Sequence, residues 1–188
     1  MKTIAERVGE GVRFIGIGGG TGSGKTYLAN GLSASLGARV IEMDDYYKGK
    51  DYVESRLNGN YDEPGAIDIG LIVENIKQLK SGRTARKPVY DMKTSSRSGY
   101  EDVKPGGVFI INGLFALSDE LAKALDLKVY IQASRATMLA RRIERDRNEK
   151  RRLVADDTRR YFDEVVWPMH QKYVEPTRAN ADIIVTNG

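Results

Sequence analysis

The sequence predicts an α/β fold in which a mostly parallel β-sheet is flanked by helices. Short apolar segments typical of buried strands alternate with amphipathic segments typical of helices. The chain contains no internal repeat and no low-complexity linker, so we expect a single domain over residues 1–188. In parallel sheets ligands bind at the carboxyl ends of the strands, and functional residues are therefore expected directly after each strand.

Apolar runs place the strands of this sheet. The predicted strands cover residues 12–17, 39–42, 108–111, 127–132 and 181–186. Two further segments, 88–92 and 100–103, are separated by serine- and glycine-containing residues and predict a β-hairpin over about 88–104. Gly19, Asp44 and Asn112 each follow a predicted strand, so we expect them along one edge of the sheet.

Capping residues and apolar periodicity place the helices between these strands. Residues 24–36 predict a helix that ends at Gly37, and Asp68 begins an amphipathic helix that ends at Gly82. A short helix is expected from Ser118 to Leu125, and a long arginine-rich helix from Ser134. The last helix is predicted to begin at Asp156 or Asp157 and to be interrupted at Pro168.

The charge and composition of the chain exclude several classes of protein. Of the formal net charge of +4, residues 135–160 alone contribute ten Arg or Lys against five Asp or Glu, which suits a compact polyanion better than a nucleic-acid backbone. The absence of cysteine excludes disulfides and thiolate metal sites and fits a reducing compartment. We see no signal peptide and no apolar stretch that spans a membrane, and so expect a cytoplasmic protein that binds neither membrane nor nucleic acid.

A glycine-rich loop carries the most specific chemical signal in the chain. It matches the pattern G-x-x-x-x-G-K-[ST] between a predicted strand and a predicted helix, which is the context that a phosphate-binding loop (P-loop) requires. Its backbone N–H groups and the helix N-terminus bind phosphate oxygens, the lysine reaches the β- and γ-phosphates, and the threonine hydroxyl is a ligand for Mg²⁺. The loop comprises Gly19, Gly20, Thr21, Gly22, Ser23, Gly24, Lys25 and Thr26.

Acidic and basic residues elsewhere are candidates for the other half of a phosphoryl-transfer site. Asp44 and Asp45 follow the second strand, where a carboxylate can accept a proton from a hydroxyl or hold Mg²⁺ through water; helix capping or a solvated turn explains them equally well. The arginine-rich helix predicts a lid over about residues 141–156, although part of its charge is ordinary surface ion pairing.

These motifs together resemble the uridine–cytidine kinases, within the group that includes phosphoribulokinases and bacterial pantothenate kinases. The resemblance covers nearly the whole chain, from the P-loop to the last strand. It includes the segments Asp-Asp-Tyr-Tyr-Lys at 44–48, Asn-Tyr-Asp-Glu-Pro-Gly-Ala-Ile-Asp at 60–68, Pro-Val-Tyr-Asp at 88–91, Arg-Arg-Ile-Glu-Arg-Asp at 141–146 and Ala-Asp-Ile-Ile-Val at 181–185. It implies a P-loop NTPase fold, ATP or GTP as donor, Mg²⁺, a small-molecule acceptor, and assembly into a homo-oligomer as one option.

The resemblance also implies roles for individual residues. Asp44 would deprotonate the acceptor hydroxyl and, with Thr26, hold Mg²⁺, while Lys25 and Arg145 would act on the transferring phosphoryl group. Lys150 would contact ATP from the lid. The acceptor would be bound by Tyr47, Asp62, Tyr90, Met92, Arg142, Arg152 and Arg160.

Four positions depart from the family pattern and leave the acceptor open. Asn112 stands where the family has a glutamate that helps to hold Mg²⁺, and Asp45, where the family has serine, is one candidate to compensate. Met92 replaces a base-stacking aromatic, Thr94 and Ser95 replace a base-reading histidine, and Arg160 replaces a glutamine. The function favoured is phosphorylation of the 5′-hydroxyl of uridine, cytidine or a related nucleoside. The alternatives are a kinase of another ribose-like or acidic alcohol, and a P-loop ATPase or nucleotide-binding protein with weakened catalysis.

Overall fold

A computed structural model describes residues 3–148 and 155–187 of the chain. The strands of this part are β1 Phe14–Gly19, β2 Arg39–Glu42, β3 Ala85–Asp91, β4 Ser96–Val103, β5 Phe109–Asn112, β6 Leu127–Gln132 and β7 Ile183–Thr186. The α-helices are α1 Ile4–Gly9, α2 Lys25–Leu36, α3 Lys50–Leu57, α4 Ile69–Lys80, α5 Asp119–Ala122, α6 Arg135–Asn148, α7 Ala155–Tyr161 and α8 Trp167–Met169.

Five strands form one parallel sheet in the order β2-β5-β1-β6-β7, which confirms the predicted fold class. The central strand β1 is buried at every position. Its side chains alternate between two hydrophobic clusters, with Phe14 on one face and Ile15 and Ile17 on the other. Both faces of the sheet are therefore covered, and its carboxyl edge remains the open side where ligands can enter.

The hairpin of β3 and β4 forms a separate two-stranded antiparallel sheet. It is longer than predicted, since β3 begins at Ala85 and β4 at Ser96. The added residues of β4 are polar and largely exposed, and so give no apolar signal of a strand. Arg97 fixes the hairpin to the main body by donating to the backbone oxygen of Tyr47 at 2.9 Å and to the Asp68 carboxylate at 3.2 Å.

Two helices were not predicted. The N-terminal helix α1 is held by a capping box in which Thr3 and Glu6 bond each other's backbone N–H groups. Helix α3 buries only Val53, so its sequence lacks the apolar periodicity on which prediction depends.

The predicted interruption at Pro168 is wrong. The chain stays helical from Ala155 through Asn180, and α8 contains the proline. Turns of π-helix at Phe162–Val166 and His170–Val174 flank it. A proline lacks the N–H that an α-helical turn needs, and we attribute the continuity to this local change of hydrogen-bonding pattern. No helix within the described ranges has the length and apolar character needed to cross a membrane.

Candidate active site

A cavity of about 860 Å³ lies at the carboxyl edge of the parallel sheet. The residues that line it come from the P-loop, the ends of β2 and β5, the hairpin and the helices α6 and α7. They are Thr21, Gly22, Gly24, Lys25, Thr26, Glu42, Asp44, Tyr47, Tyr61, Asp62, Tyr90, Met92, Lys93, Ser95, Asn112, Gly113, Leu114, Arg141, Arg142, Arg145 and Tyr161. Asp44 and Asn112 thus meet the P-loop at one edge, as their positions after strands predicted.

The P-loop connects the end of β1 to the start of α2 in a conformation that depends on glycine. Gly19 has a φ of 138°, and a Cβ atom there would come within 2.4 Å of the Ile131 carbonyl oxygen. Lys25 begins α2, and its ammonium donates to the Gly20 carbonyl oxygen at 2.8 Å. Burial lowers the pKa of Lys25 to about 8, opposed by the negative charge of Asp44.

Two side chains from distant parts of the chain hold the carbonyl side of the P-loop. Arg141 on α6 donates to the Gly22 oxygen at 3.3 Å, and the Asn187 amide donates to the Ser23 oxygen at 2.8 Å. The Arg141 guanidinium also donates to the Asn187 amide oxygen at 3.4 Å. These contacts hold two carbonyl groups of the loop from one side and so help to fix its conformation.

The carboxylate of Asp44 lies in the cavity, directly after β2 in a 3₁₀ turn. Burial raises its pKa, and the positive charges of Lys25 and Arg145 oppose that rise. Asp45 has a different environment, since it pairs with the buried Lys87, which also contacts Glu101 at 2.9 Å. Asp45 is absent from the cavity lining, so the structure does not support its suggested compensation for Asn112.

A second carboxylate in the cavity belongs to Glu42, which sequence reasoning missed. Glu42 and Asn112 are direct partners across the β2–β5 pairing, and the Asn112 amide nitrogen donates to Glu42 Oε2 at 2.7 Å. The same nitrogen approaches the Thr26 hydroxyl at 3.3 Å. Glu42 therefore lies beside the P-loop threonine that is the expected Mg²⁺ ligand.

Four tyrosines and one carboxylate form the opposite end of the cavity. The centre of the Tyr47 ring lies 5.4 Å from the ring centres of both Tyr61 and Tyr90, edge-on to Tyr61 and tilted against Tyr90. Asp62 and the Tyr161 hydroxyl interact electrostatically, and burial together with the charge of Asp62 raises the pKa of Tyr161. Burial raises the pKa of Asp62, opposed first by the charge of Arg142. This end presents aromatic surface and an oxygen acceptor, which suits a hydroxylated ring.

Arg142 and Arg145 on α6 both lie beside one buried carboxylate, that of Asp146. Asp146 is 2% exposed, lies 3.8 Å from Arg142 and 3.6 Å from Arg145, and accepts a hydrogen bond from the Thr158 hydroxyl at 3.3 Å. Arg142 also reaches the Thr21 hydroxyl at 3.5 Å. Both arginines line the cavity that the P-loop also lines.

The remaining predicted site residues have mixed outcomes. Met92 lines the cavity but is 53% exposed at the hairpin rim, beside Lys93 and Ser95. Arg160 is not part of the cavity: its side chain is 68% exposed and pairs with Asp157. The next residue, Tyr161, faces the cavity instead, because adjacent helical positions point about 100° apart. Lys150 and Arg152 lie outside the described residues.

A phosphate-binding loop at the carboxyl edge of a parallel sheet, faced across one cavity by a carboxylate and arginines, defines the class of P-loop kinases. Comparison with known proteins narrows this class. The chain belongs to the phosphoribulokinase/uridine kinase family, whose model matches residues 14–188. As a kinase of this family it uses a nucleotide phosphate donor and a small-molecule acceptor.

Curated relatives agree with this assignment, and solved structures share the fold. The chain is 40% identical over 182 residues to a uridine kinase of Clostridium novyi, covering 93% of this chain and 87% of the relative. A uridine kinase of Staphylococcus aureus is 38% identical with the same coverage. The fold is similar to that of a possible uridine kinase from Bacillus stearothermophilus (TM-score 0.65, 22% identity, 98% and 90% of the two chains). It is also similar to that of a D-glycerate 3-kinase from Cryptococcus neoformans (TM-score 0.67, 18% identity, 93% and 86%).

Proposed function

We propose that this kinase transfers the γ-phosphoryl group of ATP to the 5′-hydroxyl of uridine or cytidine. One observation carries the proposal: Asp44, Asp62 and the Tyr47 ring face the same cavity as the P-loop. The P-loop is specific for phosphates, whereas Asp62 and the tyrosines offer a carboxylate acceptor and flat apolar surface for a ribose. The curated relatives named uridine kinase support a nucleoside as the acceptor.

The proposed reaction needs little covalent work from the protein. The acceptor oxygen forms a bond to the γ-phosphorus, the bond from that phosphorus to the β,γ-bridging oxygen breaks, and Asp44 takes the hydroxyl proton. The positive charges of Lys25 and Arg145 oppose the rise that burial causes in the pKa of Asp44, and so favour its carboxylate form. The same two cations would stabilise charge on the transferring group.

The residues present fit a magnesium ion bound with the donor. The described residues contain no cluster of three or more His, Cys, Asp or Glu side chains arranged as a metal site. Mg²⁺ at kinase sites needs less than this, because it keeps several waters and takes one or two carboxylates plus phosphate oxygens. Thr26 and Asp44 both line the cavity, where the hydroxyl and the carboxylate would be ligands of the ion. The ion would neutralise charge on the phosphates.

A second acceptor class, an acidic alcohol, is favoured by one observation. Lys93 lines the cavity at the hairpin rim, on the side where Met92 and Ser95 depart from the family pattern. An ammonium there suits a carboxylate or phosphate on the acceptor better than a neutral pyrimidine. Arg160, from which sequence reasoning drew this option, is remote from the cavity and no longer supports it.

A coupled assay of ADP release separates these acceptors. We expect turnover with uridine or cytidine at millimolar concentrations and little with pantothenate, glycerate or sugar phosphates. Absence of turnover with both pyrimidine nucleosides would refute the assignment. ATP hydrolysis that proceeds equally without any acceptor would favour an ATPase instead. Replacing ATP by GTP in the same assay determines the donor.

The wider organisation of the protein also belongs to the proposal. We propose one domain over residues 1–188 and a cytoplasmic location, with assembly into a homo-oligomer as one option. The resemblance to uridine–cytidine kinases is the basis for the assembly. Light scattering of the purified protein measures its mass in solution against the 20.9 kDa of one chain.

A further inference from the structure

The pairing of Glu42 with Asn112 places a carboxylate beside the P-loop from an unexpected strand. These residues are the last of β2 and β5, and they are direct neighbours across the parallel pairing. Both line the cavity, next to the P-loop residues Lys25 and Thr26. Glu42 thus belongs to the donor end of the cavity.

The orientation of the Asn112 amide follows from its partners. A carboxylate offers only acceptor oxygens, so the amide nitrogen must face Glu42, where the distance to Oε2 is 2.7 Å. Asn112 is 2% exposed, and its amide oxygen is buried and has no hydrogen-bond partner among the described residues. Burying an oxygen in this way costs free energy, which indicates a position kept for a donor or a cation.

The Asn112 amide nitrogen also limits the distance between the Glu42 carboxylate and the Thr26 hydroxyl. The Asn112 amide nitrogen lies 2.7 Å from Glu42 Oε2 and 3.3 Å from Thr26 Oγ1, so these two oxygens are at most 6.0 Å apart. A Mg²⁺ ion with ligand distances of about 2.1 Å and its own bound waters spans such a gap. Asp44 also lines the cavity and is the carboxylate proposed above as a Mg²⁺ ligand, whereas Asp45 is turned to Lys87 and does not line the cavity.

We infer that Glu42 supplies the donor-side carboxylate for the Mg²⁺–nucleotide complex, directly or through a bound water. Asn112 acts as a positioning residue that holds Glu42 toward Thr26. The family pattern has this carboxylate at the end of β5, where this chain has Asn112, whereas here it lies on Glu42 at the end of the adjacent β2. The inference rests on the donor half of the proposed function and is independent of the acceptor.

The test measures metal binding separately from turnover. The affinity of a non-hydrolysable ATP analogue is determined by calorimetry in EDTA and in excess Mg²⁺, and Mn²⁺ binding to the analogue complex by electron paramagnetic resonance. The variants are Glu42→Gln, the exchange Glu42→Gln/Asn112→Glu, and Glu54→Gln as control. The Glu54→Gln substitution removes the same negative charge, but from an exposed ion pair with Lys50.

We expect Glu42→Gln to weaken Mn²⁺ binding at least about tenfold, with analogue affinity in EDTA no weaker than in the wild type. The exchange variant restores most of the loss, because it returns a carboxylate to the neighbouring strand, and Glu54→Gln matches the wild type. Unchanged Mn²⁺ binding in Glu42→Gln would overturn the inference, as would an exchange variant no better than the single one. A wild type that fails to bind the analogue even with Mg²⁺ would refute the proposed function instead.

Discussion

The ammonium of Lys25 makes the stability of the free protein depend on pH in a predictable way. Burial lowers its pKa from 10.5 to about 8, while Asp44 and Glu42 oppose the change and Arg145 adds to it. Between pH 8 and 10.5 the unfolded chain therefore holds a proton that the folded protein lacks. Under that condition the free energy of unfolding rises with pH, so the cost of burying this lysine is largest below pH 8 and disappears toward pH 10.5.

The size of this effect follows from the two pKa values. A change from 10.5 to about 8 corresponds to roughly 3 kcal/mol at about 1.4 kcal/mol for each pKa unit. About 2 kcal/mol of that cost is relieved between pH 7.5 and 9.5. Lys25 is partly exposed to an open cavity, and solvent screening reduces the expected gain to about 1–2 kcal/mol.

Urea denaturation of the wild type and of Lys25→Met at several pH values between 7.5 and 9.5 measures this gain. Other titrating groups contribute to both proteins and cancel in the difference between their unfolding free energies. We expect the wild type to gain stability relative to Lys25→Met by about 1–2 kcal/mol across the range. Lys50→Met, which removes an exposed lysine, is the matched control and should show no such trend. A constant difference between wild type and Lys25→Met would contradict the reasoning.

Three substitutions test other parts of the molecule. Asp44→Asn should lower turnover by about 10²–10⁴-fold while analogue binding persists, because the amide cannot accept the hydroxyl proton; equal turnover would assign the base to another residue. Asp146→Ala should destabilise the protein by about 3 kcal/mol in urea denaturation and raise the acceptor KM, since it leaves Arg142 without its buried carboxylate. Gly113→Ala should lower the unfolding free energy by about 1–3 kcal/mol, because the added Cβ would lie 2.6 Å from Met43; a melting temperature equal to the wild type would show that Met43 moves aside freely.

Local backbone chemistry explains why much of the donor side was predictable. The P-loop motif specifies a turn, a helix start and two side chains within eight consecutive residues, so Lys25 and Thr26 needed no tertiary information. The positions of Asp44 and Asn112 after strands were predictable as well, because parallel strands bring their carboxyl ends to one edge.

Side-chain direction explains what the sequence could not predict. Asp44 and Asp45 are adjacent, yet only the first faces the cavity, and the choice depends on Lys87 from a strand about forty residues away. Tyr161 rather than Arg160 enters the cavity because of how α7 is rotated against α6, which a pattern of charges does not reveal. The role of Glu42 was predictable in principle, because an asparagine at position 112 suggests that a neighbouring strand supplies the carboxylate, and Glu42 is the paired residue on that strand.

The clamp on the P-loop carbonyl groups has a consequence for how the protein is made. Asn187 bonds to Ser23 across 164 positions of sequence. During synthesis the nucleotide-binding loop emerges early, but one of its partners is added only after β7. Contacts of such long range form late, because closing the intervening chain costs entropy. We therefore expect a nascent chain to acquire most of its sheet before the loop reaches its final geometry, so that nucleotide protects the finished protein and not its shorter precursors.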